Sequence, residues 1–326
     1  MLTRKRIRGV VQIAISVALL TIILRQVNWV EVKDALRRIE LGWLALAWGM
    51  FILGVIVRAA RWQTLLNALG VRRSLRELSA WYFVGGFFNV VLPTGFGGDA
   101  VRVAELAQDT QRLDLAVNSV VVDRYLGLMV LLAMGLLGGL AAPGVAPAAV
   151  VWLTAGLFLA GLIAAAALAM PWWDDLAARP GLLGKTVSFL RLPSLAEAVR
   201  PYDRKVLGRA LVISLVFNIL QIGWNVAIAR GLNIQAPLMS FFIFVPLTAV
   251  ALLLPAFGGL GVREMTYARL FDSIGVPQAQ AVALSLSVYA ITVATGLLGG
   301  LIYLFGGIRR ARAKPAGGPD LPMAHQ

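Results

Sequence analysis

The residue types best suited to chemistry sit in a glycine-rich stretch that occurs twice. Leu92-Pro93-Thr94-Gly95-Phe96-Gly97-Gly98-Asp99-Ala100-Val101-Arg102 is matched by Leu254-Pro255-Ala256-Phe257-Gly258-Gly259-Leu260-Gly261-Val262-Arg263. The second copy lacks the Asp, and Glu264 follows its Arg directly. Neighbouring glycines let backbone N–H groups converge without side-chain obstruction, and a helix starting at about Asp99 offers unpaired amides carrying partial positive charge. Arg102 falls within one turn of that start. Asn89, Gly95, Gly97, Gly98, Asp99 and Arg102 therefore make a candidate site for an anionic group, and in a bilayer that group is a lipid phosphate. Gly258, Gly259, Gly261, Arg263 and Glu264 repeat the parts.

A plainer reading stands beside this one. Asp99 and Arg102, at i,i+3, can form a local ion pair that makes both insertable. The second copy favours a ligand, because Arg263 and Glu264 are adjacent and are not expected to face each other on a helix.

Charge inside a bilayer costs about 2.5–3.5 kcal/mol per residue on insertion scales, so each retained charge needs a reason. Asp123-Arg124-Tyr125 lies a third of the way into the apolar run Leu115–Leu140. Arg124 is expected to extend toward the surface, and Asp123 to pair across the bundle with Arg102 or Arg58. Asn118, Asn218, Gln221 and Asn225 suit interhelical hydrogen bonds.

The elements that must position these groups are membrane helices. Of 326 residues, 59% are hydrophobic and 14% charged, and mean hydropathy is +0.80; soluble chains carry about a quarter charged residues. The net charge of +14 sits in short loops, where it signals topology and contact with anionic head groups rather than nucleic acid. There is no Cys, and the single His is His325. No metal site, cofactor or catalytic residue is expected, and no Gly-x-x-x-x-Gly-Lys loop for nucleotide is present.

A span needs about 20 apolar residues. Leu41–Val57, Leu115–Leu140, Ala148–Met170, Ala210–Ala229, Gln280–Phe305 and the shorter Gly9–Leu24 qualify; the last is read as a retained span rather than a signal peptide. Ser79–Leu92 and Leu238–Leu254 each stop at a Leu-Pro, and the glycines that follow continue a helix poorly. Both are read as re-entrant.

The positive-inside bias selects six full spans. It puts Arg4–Arg8, Arg58–Arg76, the 172–209 loop and the Arg309–Lys314 tail in the cytoplasm. Outside lie 142–147, the loop at Arg230, and an amphipathic surface helix within Arg25–Glu40. The expected fold is an all-α polytopic membrane protein with six full spans and two re-entrant broken helices, arranged as an inverted repeat. Residues 1–142 form the first unit, with motif 79–102, and 143–308 the second, with motif 238–264. Residues 309–326 are expected to be a disordered cytoplasmic tail.

Asn89-x-x-Leu92-Pro93-x-Gly95-x-Gly97-Gly98-Asp99-x-x-Arg102, the Asp123-Arg124 pair and Phe257-Gly258-Gly259-x-Gly261-x-Arg263-Glu264 resemble the membrane domain of lysylphosphatidylglycerol synthases, a flippase-like family. The likeness runs from about Arg8 to Gly307. It implies movement of a lipid between leaflets, as fused members do with aminoacylated lipid, while stand-alone relatives are associated with varied lipids, including polyprenyl-linked ones. The chain ends at Gln326 with no aminoacyl-transferase domain, so lysyl transfer is not expected. The expected function is a cytoplasmic-membrane lipid flippase, not an enzyme, with a phospholipid or polyprenyl-phosphate head group held by the residues above, Asp123 and Arg124 included. The alternatives are an accessory subunit for a lipid-modifying enzyme, or a membrane enzyme acting on lipid-linked substrates.

Overall fold

A computed structural model describes residues 27–92, 97–168, 200–252 and 261–313, with side chains to residue 306, and the single positions Arg25, Met170, Trp173, Ala178, Glu197 and Gly259. The described residues form helices only. In chain order they are α1 Trp29–Arg37, α2 Leu41–Ala68, α3 Leu75–Val91, α4 Gly97–Thr110, α5 Leu113–Ala141, α6 Ala148–Leu168, α7 Arg204–Gly231, α8 Leu238–Ala251, α9 Val262–Asp272 and α10 Gln278–Ala313. The expected span Gly9–Leu24, Gly95, Gly258, most of the 172–209 loop and the tail beyond Ala313 lie outside the described residues.

Among the described residues, five helices (α2, α5, α6, α7 and α10) are long and apolar enough to cross a membrane. This is a multi-pass membrane protein. α6 shows why sequence hydropathy finds such helices: it is apolar all round, and Thr154 is its only buried residue, so its other faces suit lipid. α1 is the amphipathic segment. Asn28 starts it by accepting a 3.1 Å hydrogen bond from the Val30 N–H, and Val32 is its buried residue.

One boundary needs correction. α2 does not stop at Val57 but continues to Ala68, so Arg58 and Arg61 lie within a helix and not in a loop. Trp62, Leu65 and Leu66 prolong its buried face, and a carboxylate from α5 neutralises Arg61. A hydropathy window ends at the first charge and registers neither effect.

α2 and α7 pack along their length in opposite directions. Gly231 meets Trp43, Gly223 meets Met50, and Gly54 meets Trp224, while Arg61 reaches Ser214. α3 and α4 also run antiparallel: from Gly97 to Gly98 to Arg102, the α3 partner recedes from Phe88 to Gly85 to Tyr82. α8 and α9 fold back similarly, with Phe271 against Phe241 and Phe244 at ring separations of 5.3 and 5.2 Å. α3 packs on α10, and α8 on α5. With 17 and 14 residues, α3 and α8 are about 25 and 21 Å long, short of a hydrocarbon core of about 30 Å.

Candidate functional site

The first glycine motif makes its site by bringing α4 unusually close to α3. A Cβ on Gly98 would lie 2.9 Å from the Gly85 carbonyl oxygen and 2.7 Å from Asn89 Nδ2, so only glycine fits there. The Gly98 N–H donates to Asn89 Oδ1 at 2.6 Å. α4 is already helical at Gly97, ahead of the start expected at about Asp99.

This approach delivers Arg102 into a buried network. It donates to the Tyr82 hydroxyl and to Asp99, and reaches Asp123 Oδ2 at 3.1 Å. Its guanidinium lies 4.3 Å from the Tyr82 ring centre and 5.1 Å from that of Trp62. Trp62 is fixed by donating to Ser119 Oγ at 3.2 Å.

Asp123 is wholly buried and accepts from three helices. Arg61 Nε donates at 2.7 Å, the Tyr82 hydroxyl at 2.7 Å, and Arg102 as above. Asp99 bridges Arg102 to Arg124, whose side chain is 34% exposed. Two carboxylates thus join three arginines through shared ion pairs. Such a network is costly to bury unless every lone pair is used, and here Asp123 is supplied from α2, α3 and α4.

A fourth arginine completes the surroundings. Among the described residues Arg58 makes no ion pair; its guanidinium rests 5.0 Å from the Tyr82 ring centre and 5.4 Å from that of Phe217. Two cavities adjoin it. One, of about 340 Å³, is lined by Arg58, Arg61, Arg124, Asn218 and Trp224 among others. The other, of about 150 Å³, is lined by Arg58, Asn89, Asp99, Arg102 and Arg124 among others. They share Phe51, Val55, Arg58 and Arg124. Asn218 Oδ1 is buried without a hydrogen-bond partner among the described residues, while its amide nitrogen donates to the Gly127 carbonyl at 3.2 Å.

The second motif builds something smaller. Gly261 adopts φ +82°, a left-handed conformation that favours glycine, and so turns the chain into α9. Glu264 folds back to accept from the Gly261 N–H at 2.7 Å, satisfying one of the helix's free amides. Its other oxygen accepts from Arg263 Nη2 at 2.9 Å and from Ser285 Oγ at 3.3 Å. Arg263 donates to Ser285 at 3.2 Å and lies 4.7 Å from the Tyr289 ring centre. The expectation that Arg263 and Glu264 do not face each other is therefore wrong. At a helix start a carboxylate that turns back to cap the chain comes within reach of its neighbour's long side chain.

The sequence model of a family described as the lysylphosphatidylglycerol synthase TM region matches residues 9–300. The chain belongs to that family. Among curated proteins, none matches it. Membership makes a membrane role connected with lipid the frame for the site, and the match reaches the glycine motifs and both charge clusters.

Within this family member, the structure brings Asn89, Gly97, Gly98, Asp99, Arg102, Asp123 and Arg124 into one neighbourhood. It sets Gly259, Gly261, Arg263 and Glu264 in another. Arg124 does extend to a partly exposed position, but as the partner of Asp99. Of the two partners weighed for Asp123, Arg102 pairs with it, whereas Arg58 does not; Arg61 takes that place. Sequence reasoning missed Arg61, Tyr82 and Ser285. The available signal was the spacing of Arg58 and Arg61, almost one helical turn apart, which puts both on one side of a continuing α2.

Proposed function

We propose that this protein moves a phosphate-bearing anionic lipid between the leaflets of the cytoplasmic membrane, through an inverted repeat of two three-span units that each hold a re-entrant hairpin. The observation that carries the proposal is the arginine-rich pair of cavities inside an apolar helix bundle. Fixed cations are expensive there unless something anionic visits them. Arg58 and Arg124 line both cavities and meet the head group, while Arg102, Asp99 and Asp123 hold the frame.

Several features support the repeat. One constant sequence offset relates Phe96 to Phe257 and Arg102 to Arg263, and the same offset relates Gly135-Leu136-Leu137-Gly138-Gly139-Leu140 to Gly296-Leu297-Leu298-Gly299-Gly300-Leu301. It also lays α2 on α7, α3 on α8, α4 on α9 and α5 on α10. Each Gly-Leu-Leu-Gly-Gly-Leu run receives the short helix of the other unit: Gly135 and Gly138 meet α8 at Pro246 and Phe242, and Gly296 and Gly299 meet α3 at Gly86 and Phe83. The equivalent helices α2 and α7 are antiparallel, as a two-fold axis in the membrane plane requires. Gly9–Leu24 supplies the sixth span, and both termini are cytoplasmic.

The test is reconstitution of the purified protein into liposomes with labelled anionic, zwitterionic and polyprenyl-phosphate lipids. The fraction of label reachable from outside is followed over time. An anionic lipid is expected to cross faster than in protein-free liposomes. No acceleration for any lipid, with the protein monodisperse and helical, contradicts the proposal and directs attention to an accessory role.

A further inference from the structure

The charge count around the two cavities identifies the kind of phosphate they take, an inference that rests on the lipid-transport reading above. α2 contributes Arg58 and Arg61, α3 Tyr82, α4 Asp99 and Arg102, and α5 Asp123, Arg124 and Tyr125. α7 faces them with Ser214, Asn218 and Gln221, α8 with Ala249, and α10 with Thr292 and Thr295, all uncharged. Among the described residues, four guanidinium groups thus meet two carboxylates.

Both carboxylates are already shared. Asp123 serves Arg61 and Arg102, and Asp99 serves Arg102 and Arg124. Among the described residues Arg58 makes no ion pair and rests on aromatic faces, weaker partners for a cation than a carboxylate in contact. Two positive charges remain over. A phosphodiester head group brings one negative charge, whereas a phosphomonoester brings nearly two once its second proton leaves near pH 6.

We propose that the cavities take a dianionic phosphate, a phosphomonoester or diphosphate lipid head group, in preference to a monoanionic phosphodiester. Arg58 is the residue that sets this preference. Asn218, only 1% exposed, supplies a second feature: it lines the larger cavity and keeps a buried oxygen with no hydrogen-bond partner among the described residues, an acceptor that a head-group hydroxyl can reach after a small side-chain movement. At about 340 Å³, that cavity is at the lower end of small-molecule sites, which run about 300–1,000 Å³. It fits a head group, with the acyl or prenyl chains left in the bilayer.

The experiment uses the full chain in phosphatidylcholine nanodiscs. Binding of phosphatidic acid and phosphatidylglycerol with the same acyl chains is measured from pH 5 to 8, with inorganic phosphate as a competitor. None of the cavity residues is a histidine or cysteine, the types that ordinarily titrate near neutrality, so a change across pH 6 reports the lipid phosphate. Phosphatidic acid is expected to bind at least about tenfold more tightly than phosphatidylglycerol at pH 7.5, with the ratio falling toward one at pH 5. Arg58→Gln is expected to remove the preference, and Arg58→Lys to keep it. Equal affinities at pH 7.5, or a ratio independent of pH, overturn the dianion assignment while leaving lipid transport standing. Competition by inorganic phosphate as strong as that by phosphatidic acid overturns the lipid source of the phosphate. Failure of every lipid to bind overturns this inference and the transport reading together.

Discussion

Around the first glycine motif four arginines meet two aspartates, and two cavities open between them. Around the second, one arginine meets one glutamate, and every oxygen of that glutamate is engaged by Gly261, Arg263 or Ser285. The two regions stand at the same offset in sequence, so their differences can be read position by position. Where the first has Arg58, Arg61, Asp99, Asp123 and Arg124, the second has Ile219, Ile222, Leu260, Leu284 and Ser285. Only the arginine of the motif, Arg102 or Arg263, is common. The shared scaffold of glycines and short helices therefore does not by itself make an anion site. The first region has charge in excess, whereas the second balances its charge and uses it to start a helix.

The largest effect that sharpens this comparison is expected at Asp123. Asp123→Ala leaves Arg61 and Arg102 buried against each other, and loss of one partner of a buried pair costs about 3–5 kcal/mol. Thermal unfolding in detergent should show a large fall in Tm; a fall no greater than that of a surface variant would mean the network is not held through this carboxylate. Glu264→Ala in the second region removes a cap and an ion-pair partner and is expected to cost about 2–3 kcal/mol. Its signature is lost stability, with lipid movement per folded molecule largely kept. If movement vanished at unchanged Tm, the contrast between the regions would break.

Next in size is Gly98→Ala. Its methyl would press on the Gly85 backbone, and overpacking of this kind costs about 1–3 kcal/mol. Urea or thermal unfolding reads it, and an unchanged midpoint would show that α3 and α4 are less tightly apposed. At the small end, Arg73→Ala breaks partly exposed pairs with Asp109 and Glu77 and should cost no more than about 1 kcal/mol. Tyr202→Phe should cost nothing measurable, because the buried Tyr202 hydroxyl has no hydrogen-bond partner among the described residues to lose. Burial also pushes that phenol above its ordinary range.

Five of the expected spans were readable because long apolar runs such as Leu113–Ala141 have few soluble explanations. The glycine motifs were readable because Pro and Gly interrupt helices for known steric reasons. Partner choice was harder. Arg61 follows a charge that ends any hydropathy window, and its partner Asp123 lies far along the chain, so only the packing of α2 on α5 joins them. The Arg263–Glu264 contact depended on backbone geometry at a helix start, which residue spacing does not convey. The Gly-Leu-Leu-Gly-Gly-Leu repeat was visible in the sequence all along, but an apolar run inside an apolar helix draws attention only when the short helix it receives is seen.

Arg58 carries the account most directly, since it is the cavity arginine that makes no ion pair among the described residues. Removing an uncompensated charge should leave the fold as stable as before or more so, while an anionic lipid loses its contact. The deciding measurement is movement of a labelled anionic lipid in proteoliposomes, run side by side for the unaltered protein, Arg58→Gln and Ile219→Gln, the last altering the residue that stands at the same sequence offset from Arg58 as Arg263 does from Arg102. The account predicts that Arg58→Gln slows movement at least about tenfold, or about 1.4 kcal/mol, at unchanged or raised Tm, and that Ile219→Gln leaves movement near normal. Normal movement in Arg58→Gln would contradict it.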